Sequence, residues 1–151
     1  MPHAAFGQPK VSPTLNVRRN ASQRHDLTRQ ASDIALADAV AQAVRAVPSV
    51  VDLSSGLGVP AATYGPGRHV AGIVIHHPTV ETYSVEVHVV LNEAYCIRAS
   101  AATVARGERD PEACGPITEV ADLIRRAVRR SIQEMTSLAL ERIDVFIDDL
   151  R

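Results

Sequence analysis

Apolar residues recur at helical spacing in two segments, which lie on either side of a group of strand-like segments. Residues 32–47 form the first helical pattern, which Ser32 can cap and Pro48 ends. The second helix opens at Gly115-Pro116, because proline suits the first helical turn. The predicted apolar stripes are Leu36, Val40, Ala43 and Val47 in the first helix, and Ile117, Val120, Ala121, Ile124, Val128 and Met135 in the second.

The segments between and after the helices have the pattern of β-strands. Residues 83–91 alternate strictly, with Val85, Val87 and Val89 on one face and polar residues on the other. Residues 70–77 are rich in β-forming side chains and precede them, which predicts an antiparallel hairpin with one wet face. Shorter strands are predicted at 49–54 and 141–147, and Gly56 to Pro60 and Tyr64 to Gly67 are predicted turns.

This order predicts a small single α+β domain, α-β-β-β-α-β, with two helices packed on one face of a mainly antiparallel sheet. The chain has 151 residues, enough for one domain and a tail. We assign residues 32–151 to the domain and residues 1–31 to a disordered basic tail. Residues 99–114 show no sustained pattern and are treated as an irregular insert.

Charge divides the chain unevenly. Residues 1–30 hold Lys10 and four arginines against Asp26, which is five positive charges minus one, or +4. Because the whole chain carries −1, the remainder carries −5. The tail is either an inert solvated extension or a segment attracted weakly to an acidic lipid or protein surface.

Composition excludes several classes of protein. The near-neutral total argues against a dedicated nucleic-acid binder. No apolar run approaches the length of a membrane span, and the N-terminus lacks the apolar region of a signal peptide. Two cysteines are too few for a disulfide framework or a zinc ribbon, so the reducing cytoplasm is the expected compartment.

Histidines and cysteines are the first candidates for chemistry. A metal site needs three or four convergent ligands, whereas His76 and His77 point to opposite faces of a strand, and only one of them can join His88. The alternative is solvated histidines on the wet face. Cys114 precedes a helix start and could be modestly reactive, but without a partner motif the favoured interpretation of Cys96 and Cys114 is that they are ordinary small residues.

Arginines on the second helix form the best candidate surface. Arg125, Arg126, Arg129 and Arg130 lie opposite the apolar stripe and could bind an acidic protein, anionic lipid or a phosphate backbone. Asp122 and Glu134 lie four residues from Arg126 and Arg130, which also allows a solvated, partly ion-paired face.

Four segments together resemble the alkaline shock protein family of envelope stress response proteins, in the form typical of actinobacterial members. They are the opening helix with Val47-Pro48-Ser49-Val50, the turn and strand Ala62 to Ile73, the strand Val85 to Leu91, and the closing pair Ile117 to Val128 and Ile143 to Leu150. The chain departs from the family at Ser49, where glycine is usual, at Cys114-Gly115 and at Ser137.

The resemblance implies a non-enzymatic cytoplasmic protein of cell-envelope homeostasis, in some members held peripherally at the membrane by a small anchoring protein. It supplies no catalytic residues, and we expect neither a cofactor nor a metal. We therefore expect a protein that binds protein partners or itself, since its valine-rich strands would make self-association through an exposed edge easy. The candidate partner-binding residues are Tyr64, Arg68, Arg125, Arg126, Arg129 and Arg130.

Two other classes stay open. Small αβ domains of this order can bind RNA, and strongly salt-dependent RNA binding would favour a nucleic-acid module. An enzyme or metal protein would be built on His76, His88 or Cys114, and stoichiometric metal in purified protein would favour it.

Overall fold

The computed structural model describes residues 13–96 and 116–151. The two long helices are α1, Pro13–Arg45, and α2, Pro116–Met135, and residues 93–96 are also helical. The strands, in chain order, are β1 Val50–Leu53, β2 Ala62–Gly65, β3 Arg68–Ala71, β4 Ile73–His76, β5 Thr82–Leu91 and β6 Ala139–Leu150. The predicted small α+β domain is confirmed.

Strand β5 is the centre of the main sheet. On one side it pairs with β6 in parallel. On the other side it pairs antiparallel with two short strands, β4 against residues 84–87 and β1 against residues 89–91. The predicted hairpin is therefore present as β4 and β5, and the sheet is mainly antiparallel with one parallel strand.

The core lies between the helices and one face of this sheet. Alternation along β5 points its odd-numbered residues, Tyr83 to Leu91, at α1 and α2. The stripe on α1 is centred on Ala37, Val40 and Val44, all fully buried. On α2, the stripe continues through Ile132, whereas Ile117 and Met135, which the sequence placed on the stripe, are exposed.

The N-terminal boundary of α1 corrects the sequence analysis. We expected residues 1–31 to be disordered and the helix to begin at Ser32, but residues 13–31 continue the helix, and the Ser32 hydroxyl donates to the Thr28 carbonyl 3.0 Å away. Side chains 23–30 are all exposed. Apolar periodicity reports burial, so the exposed residues 23–30 left no pattern to detect. Residues 1–12 lie outside the described part of the chain, as do residues 99–114.

A second correction concerns the predicted strand at 70–77. Gly72, with φ of +81°, divides it into β3 and β4. Strand β3 pairs with β2 in a separate hairpin that packs against α1, and the Pro66-Gly67 turn joins them. Strand β2 is therefore additional to the predicted strands, and β3 begins two residues before the predicted strand.

One buried hydroxyl gives the fold a dependence on alkaline pH. Tyr83 is fully buried, and its hydroxyl has no hydrogen-bond partner among the described residues. Burial raises the pKa of Tyr83 above its ordinary value of 10.0. Ionisation of Tyr83 therefore has no effect on stability below pH 10.0, and the free energy of unfolding falls as the pH rises from 10.0 through the raised pKa.

We predict that Tyr83→Phe removes this dependence and raises the free energy of unfolding by about 1 kcal/mol near neutral pH, since it removes an unpaired buried polar group. Urea unfolding below and above the ordinary pKa of tyrosine measures both effects. An equal alkaline loss of stability in the wild type and in Tyr83→Phe would contradict the prediction.

Candidate partner-binding surface

The arginines of α2 divide into one paired and three unpaired side chains. Arg125 is half-buried and donates to Asp122 at 2.9 Å. Arg126, Arg129 and Arg130 are exposed, and none has a carboxylate within 4.0 Å in the part of the chain that the structure describes. The face is therefore partly ion-paired, but neither four-residue spacing, from Asp122 to Arg126 or from Arg130 to Glu134, holds an ion pair among the described residues. Asp122 pairs three residues away instead, a spacing that also places side chains side by side on a helix.

The three exposed arginines continue into a groove. Residues 126, 129, 130 and 133 follow one another at helical spacing, so they share one face of α2. The groove has a cavity volume of about 390 Å³ and lies where α2 passes into β6. Its walls are Arg129, Ile132, Gln133, Thr136, Ser137, Leu138, Ala139 and Leu140. The surface formed by Arg126, Arg129, Arg130 and this groove is called the arginine surface below.

Local chain geometry shapes the groove. The Thr136 amide donates to the Ile132 carbonyl at 3.0 Å, and the Leu138 amide donates to the Thr136 hydroxyl at 3.2 Å. These bonds end α2 and turn the chain directly into β6. As a result Leu138 stays exposed in the groove that Arg129 also lines. Arginine is enriched at protein interfaces, and exposed apolar side chains rimmed by polar residues mark interaction sites.

Tyr64 and Arg68 lie on a different part of the molecule, the β2–β3 hairpin that packs against α1. Arg68 forms an ion pair with Asp38 of α1, so its charge fastens the hairpin to the helix. Tyr64 is 63% exposed and stacks on His69, with ring centroids 5.7 Å apart. The structure therefore separates these two predicted residues from the arginines of α2.

Three histidines lie close to carboxylates. On the open face of the sheet, Glu86 lies 3.0 Å from His76 and 4.0 Å from His88, and His88 also lies 3.1 Å from Asp148. His77 points the other way and contacts Asp33 of α1 at 2.8 Å. Among the described residues, no group of three or more His, Cys, Asp or Glu side chains could hold a metal ion.

His88 is not the solvated histidine that the alternation suggested. Its side chain is largely buried and stacks on Phe146, with centroids 4.5 Å apart. Asp148 and Phe146 come from the neighbouring strand β6, whose register the sequence did not predict. Nearby, hydrogen bonds from the Arg151 side chain and the Leu150 amide lower the pKa of the Asp149 carboxyl.

Neither cysteine provides an accessible nucleophile in the part of the chain that the structure describes. Cys96 is buried, which removes it from contact with a substrate in solution. Cys114, the candidate reactive thiol, lies outside the described residues.

The sequence reasoning missed the groove at the end of α2. Gln133, Thr136 and Leu138 line it, and the only signal for them was the short polar connection between α2 and β6. Such a connection turns the chain sharply and leaves neighbouring side chains uncovered.

Comparison with known proteins adds no further constraint. No protein-family model, curated protein or solved structure matches this chain. In the described residues, neither helix has the length and apolar character needed to cross a bilayer.

Proposed function

We propose that this chain is a non-enzymatic interaction protein that binds an acidic protein partner through the arginine surface. The observation that carries the proposal is the set of three exposed arginines, none of which has a carboxylate within 4.0 Å in the described residues. They adjoin a groove with exposed apolar side chains.

Charge placement on α2 favours a partner of opposite sign. Arg126 and Arg130 are four residues apart, as are Arg125 and Arg129. Like charges at this spacing destabilise a helix by about 0.2–0.5 kcal/mol per pair. A partner that supplies carboxylates relieves this repulsion. It also gains bidentate hydrogen bonds, for which the guanidinium group is preorganised.

The groove supports a protein partner over a nucleic acid. Its walls combine Ile132, Leu138 and Leu140 with polar side chains, which suits an inserted side chain of a partner. The described face of α2 carries no aromatic residue on which bases could stack, and Asp122 and Glu134 lie beside the arginines. Binding of RNA in the affinity purification described below would therefore contradict the proposal.

The partner class follows from the family resemblance. An acidic cytoplasmic segment of a small membrane anchor protein would place this chain peripherally at the membrane, in the role of an envelope stress protein of the alkaline shock class. The basic residues of the α1 extension would support the same location, because anionic lipid surfaces attract arginine.

Reversal of the arginine charges should abolish partner binding. We expect R126E/R129E/R130E to lower the recovery of the partner at least tenfold, since each charge-assisted contact contributes about 1.5–3 kcal/mol. The measurement is affinity purification of the full chain from membrane and soluble fractions of the native cell, with partners identified by mass spectrometry.

Two control variants sharpen this experiment. R24E/R29E/R45E changes the same number of exposed positive charges on α1 and should retain the partner. R126K/R129K/R130K keeps the charge but not the planar fork, so an intermediate loss is expected. Equal loss in R24E/R29E/R45E would assign binding to the arginines of α1 or to charge in general rather than to the arginine surface. Recovery of RNA-associated proteins alone, removed by nuclease, would overturn the proposal in favour of a nucleic-acid module.

A further inference from the structure

Strand β6 presents a long open edge. It has 12 residues and, within the described ranges, pairs with β5 alone. Its other side therefore carries unpaired backbone donors and acceptors, which is a template for another strand. The core-facing side chains of β6 are only partly covered there, since Val145 and Ile147 are half-buried and Leu150 is 40% exposed.

The apolar pattern of this edge is symmetric about its centre. Pairing with β5 assigns five β6 residues to the core face of the sheet, because they lie beside core residues of β5. These residues are Leu140, Ile143, Val145, Ile147 and Leu150. Val145 is at the centre. Leu140 and Ile143 precede it by five and two positions, and Ile147 and Leu150 follow it by two and five positions.

We propose that β6 pairs antiparallel with β6 of a second copy of this chain, with the two-fold axis at Val145. In this register Leu140 lies opposite Leu150 and Ile143 opposite Ile147, so apolar residues meet apolar residues on one face of a continuous sheet. A two-fold interface requires such a self-complementary strand. A partner of different sequence has no need of the symmetry.

Acidic residues on β6 would oppose self-pairing if their charges were free, but most have partners within the chain. Asp144 pairs with Arg142 at 2.7 Å, and Asp149 with Arg151 at 2.8 Å. Asp148 is held by His88 at 3.1 Å. In the proposed register Asp144 faces Phe146 of the second copy rather than a carboxylate. Like charges meet only near the ends, where Glu141 faces Asp149.

The irregular positions of β6 also permit the pairing. Register shifts, which commonly protect edge strands, occur beside Glu141 and Asp148. They flank the segment 142–147, which runs beside residues 84–89 without interruption. The central part of the edge is thus regular and available. This inference does not depend on the arginine surface.

The test uses the purified full chain with no partner present. Sedimentation velocity should show a dimer whose fraction increases with concentration. Phe146→Asp and Phe146→Lys form a matched pair, because both remove the ring that stacks on His88. In the proposed dimer residue 146 lies opposite Asp144 of the second copy, so the two variants place a negative or a positive charge beside that carboxylate. We expect the dissociation constant of Phe146→Asp to exceed that of Phe146→Lys by about tenfold, since the pair occurs twice per dimer.

A cysteine placed on the two-fold axis tests the register directly. Val145→Cys should form an intermolecular disulfide with oxidised glutathione, because residue 145 lies opposite itself. Arg142→Cys, also on β6 but distant from its copy in this register, should not exceed the wild type in cross-linked product. Circular dichroism confirms that each variant is folded.

A chain that stays monomeric at all concentrations would overturn the inference. A dimer would also overturn it if Phe146→Asp and Phe146→Lys have equal dissociation constants and Val145→Cys forms no cross-link. Such a dimer would use another surface. Neither result affects the proposed partner binding, which is measured with the arginine variants.

Discussion

Gly72→Ala should lower the free energy of unfolding by about 3 kcal/mol. Gly72 has φ of +81°, a backbone conformation that a side chain disfavours. An added Cβ would also meet the Leu53 Cβ at 2.7 Å and the Ser54 carbonyl oxygen at 2.9 Å. Neither atom belongs to a flexible side-chain end, so the backbone must move.

The backbone around Gly72 joins the short strands β1 and β4 to β5, which explains why Gly72→Ala should lower the free energy of unfolding so much. The His88 amide donates to the Gly72 carbonyl, and the Gly72 amide donates to the Ala61 carbonyl, both at 2.8 Å. The Ser54 amide donates to the His88 carbonyl at 2.9 Å. A shift at Gly72 therefore disturbs β1, β4 and β5 together.

Gly58→Ala is the matched control. Gly58 has φ of +84°, but nothing lies within 4 Å of an added Cβ. It should therefore show only the conformational cost, about 1 kcal/mol. Urea unfolding of both variants measures the difference, and equal costs would contradict the role of the close approach at Gly72.

Ile124→Ala should cost about 3 kcal/mol of unfolding free energy. Ile124 is fully buried on the core side of α2 and belongs to the cluster that joins α1, α2 and the sheet. Truncation removes apolar contacts and leaves a cavity that the surrounding helices can fill only in part. Because α2 also carries the arginine surface, this packing positions the proposed binding residues.

Leu123→Ala provides the comparison for α2. Leu123 is the adjacent residue but is 42% exposed, so its truncation should cost about 0.5 kcal/mol. Thermal and urea unfolding of the two variants measure the contrast. Similar losses of unfolding free energy for Leu123→Ala and Ile124→Ala would show that α2 does not pack against the core through the face that carries Ile124.

Strong periodicity made β5 and α2 predictable. Alternate residues of β5 are buried against the helices, and burial at every second position leaves a pattern of period two. On α2, Val120, Ile124 and Val128 recur at helical spacing because one stripe faces the core. The fold class follows from these elements and their order.

Elements without a buried stripe were not predictable. The extension of α1 before Ser32 has exposed side chains over residues 23–30, so no apolar pattern marks it. Strands β2 and β3 have four residues each, too few for a period, and prominent turn residues surround them.

The candidate site was predicted in its residue types and only partly in its arrangement. Exposed arginines opposite the apolar stripe follow from helical geometry, and α2 presents Arg126, Arg129 and Arg130 in this way. Ion pairing depends on rotamers and on small differences between three- and four-residue spacing, so the pairing of Asp122 with Arg125 was not foreseen.

The sequence alone determined the α+β class, the antiparallel hairpin of β4 and β5, and the arginine-bearing face of α2, because burial repeats along the chain at the period of each element. Tertiary structure decided which strands are neighbours. It placed Phe146 and Asp148 around His88, separated Tyr64 and Arg68 from α2, and opened the groove before β6. These contacts join residues far apart in the chain, and local periodicity carries no information about such pairings.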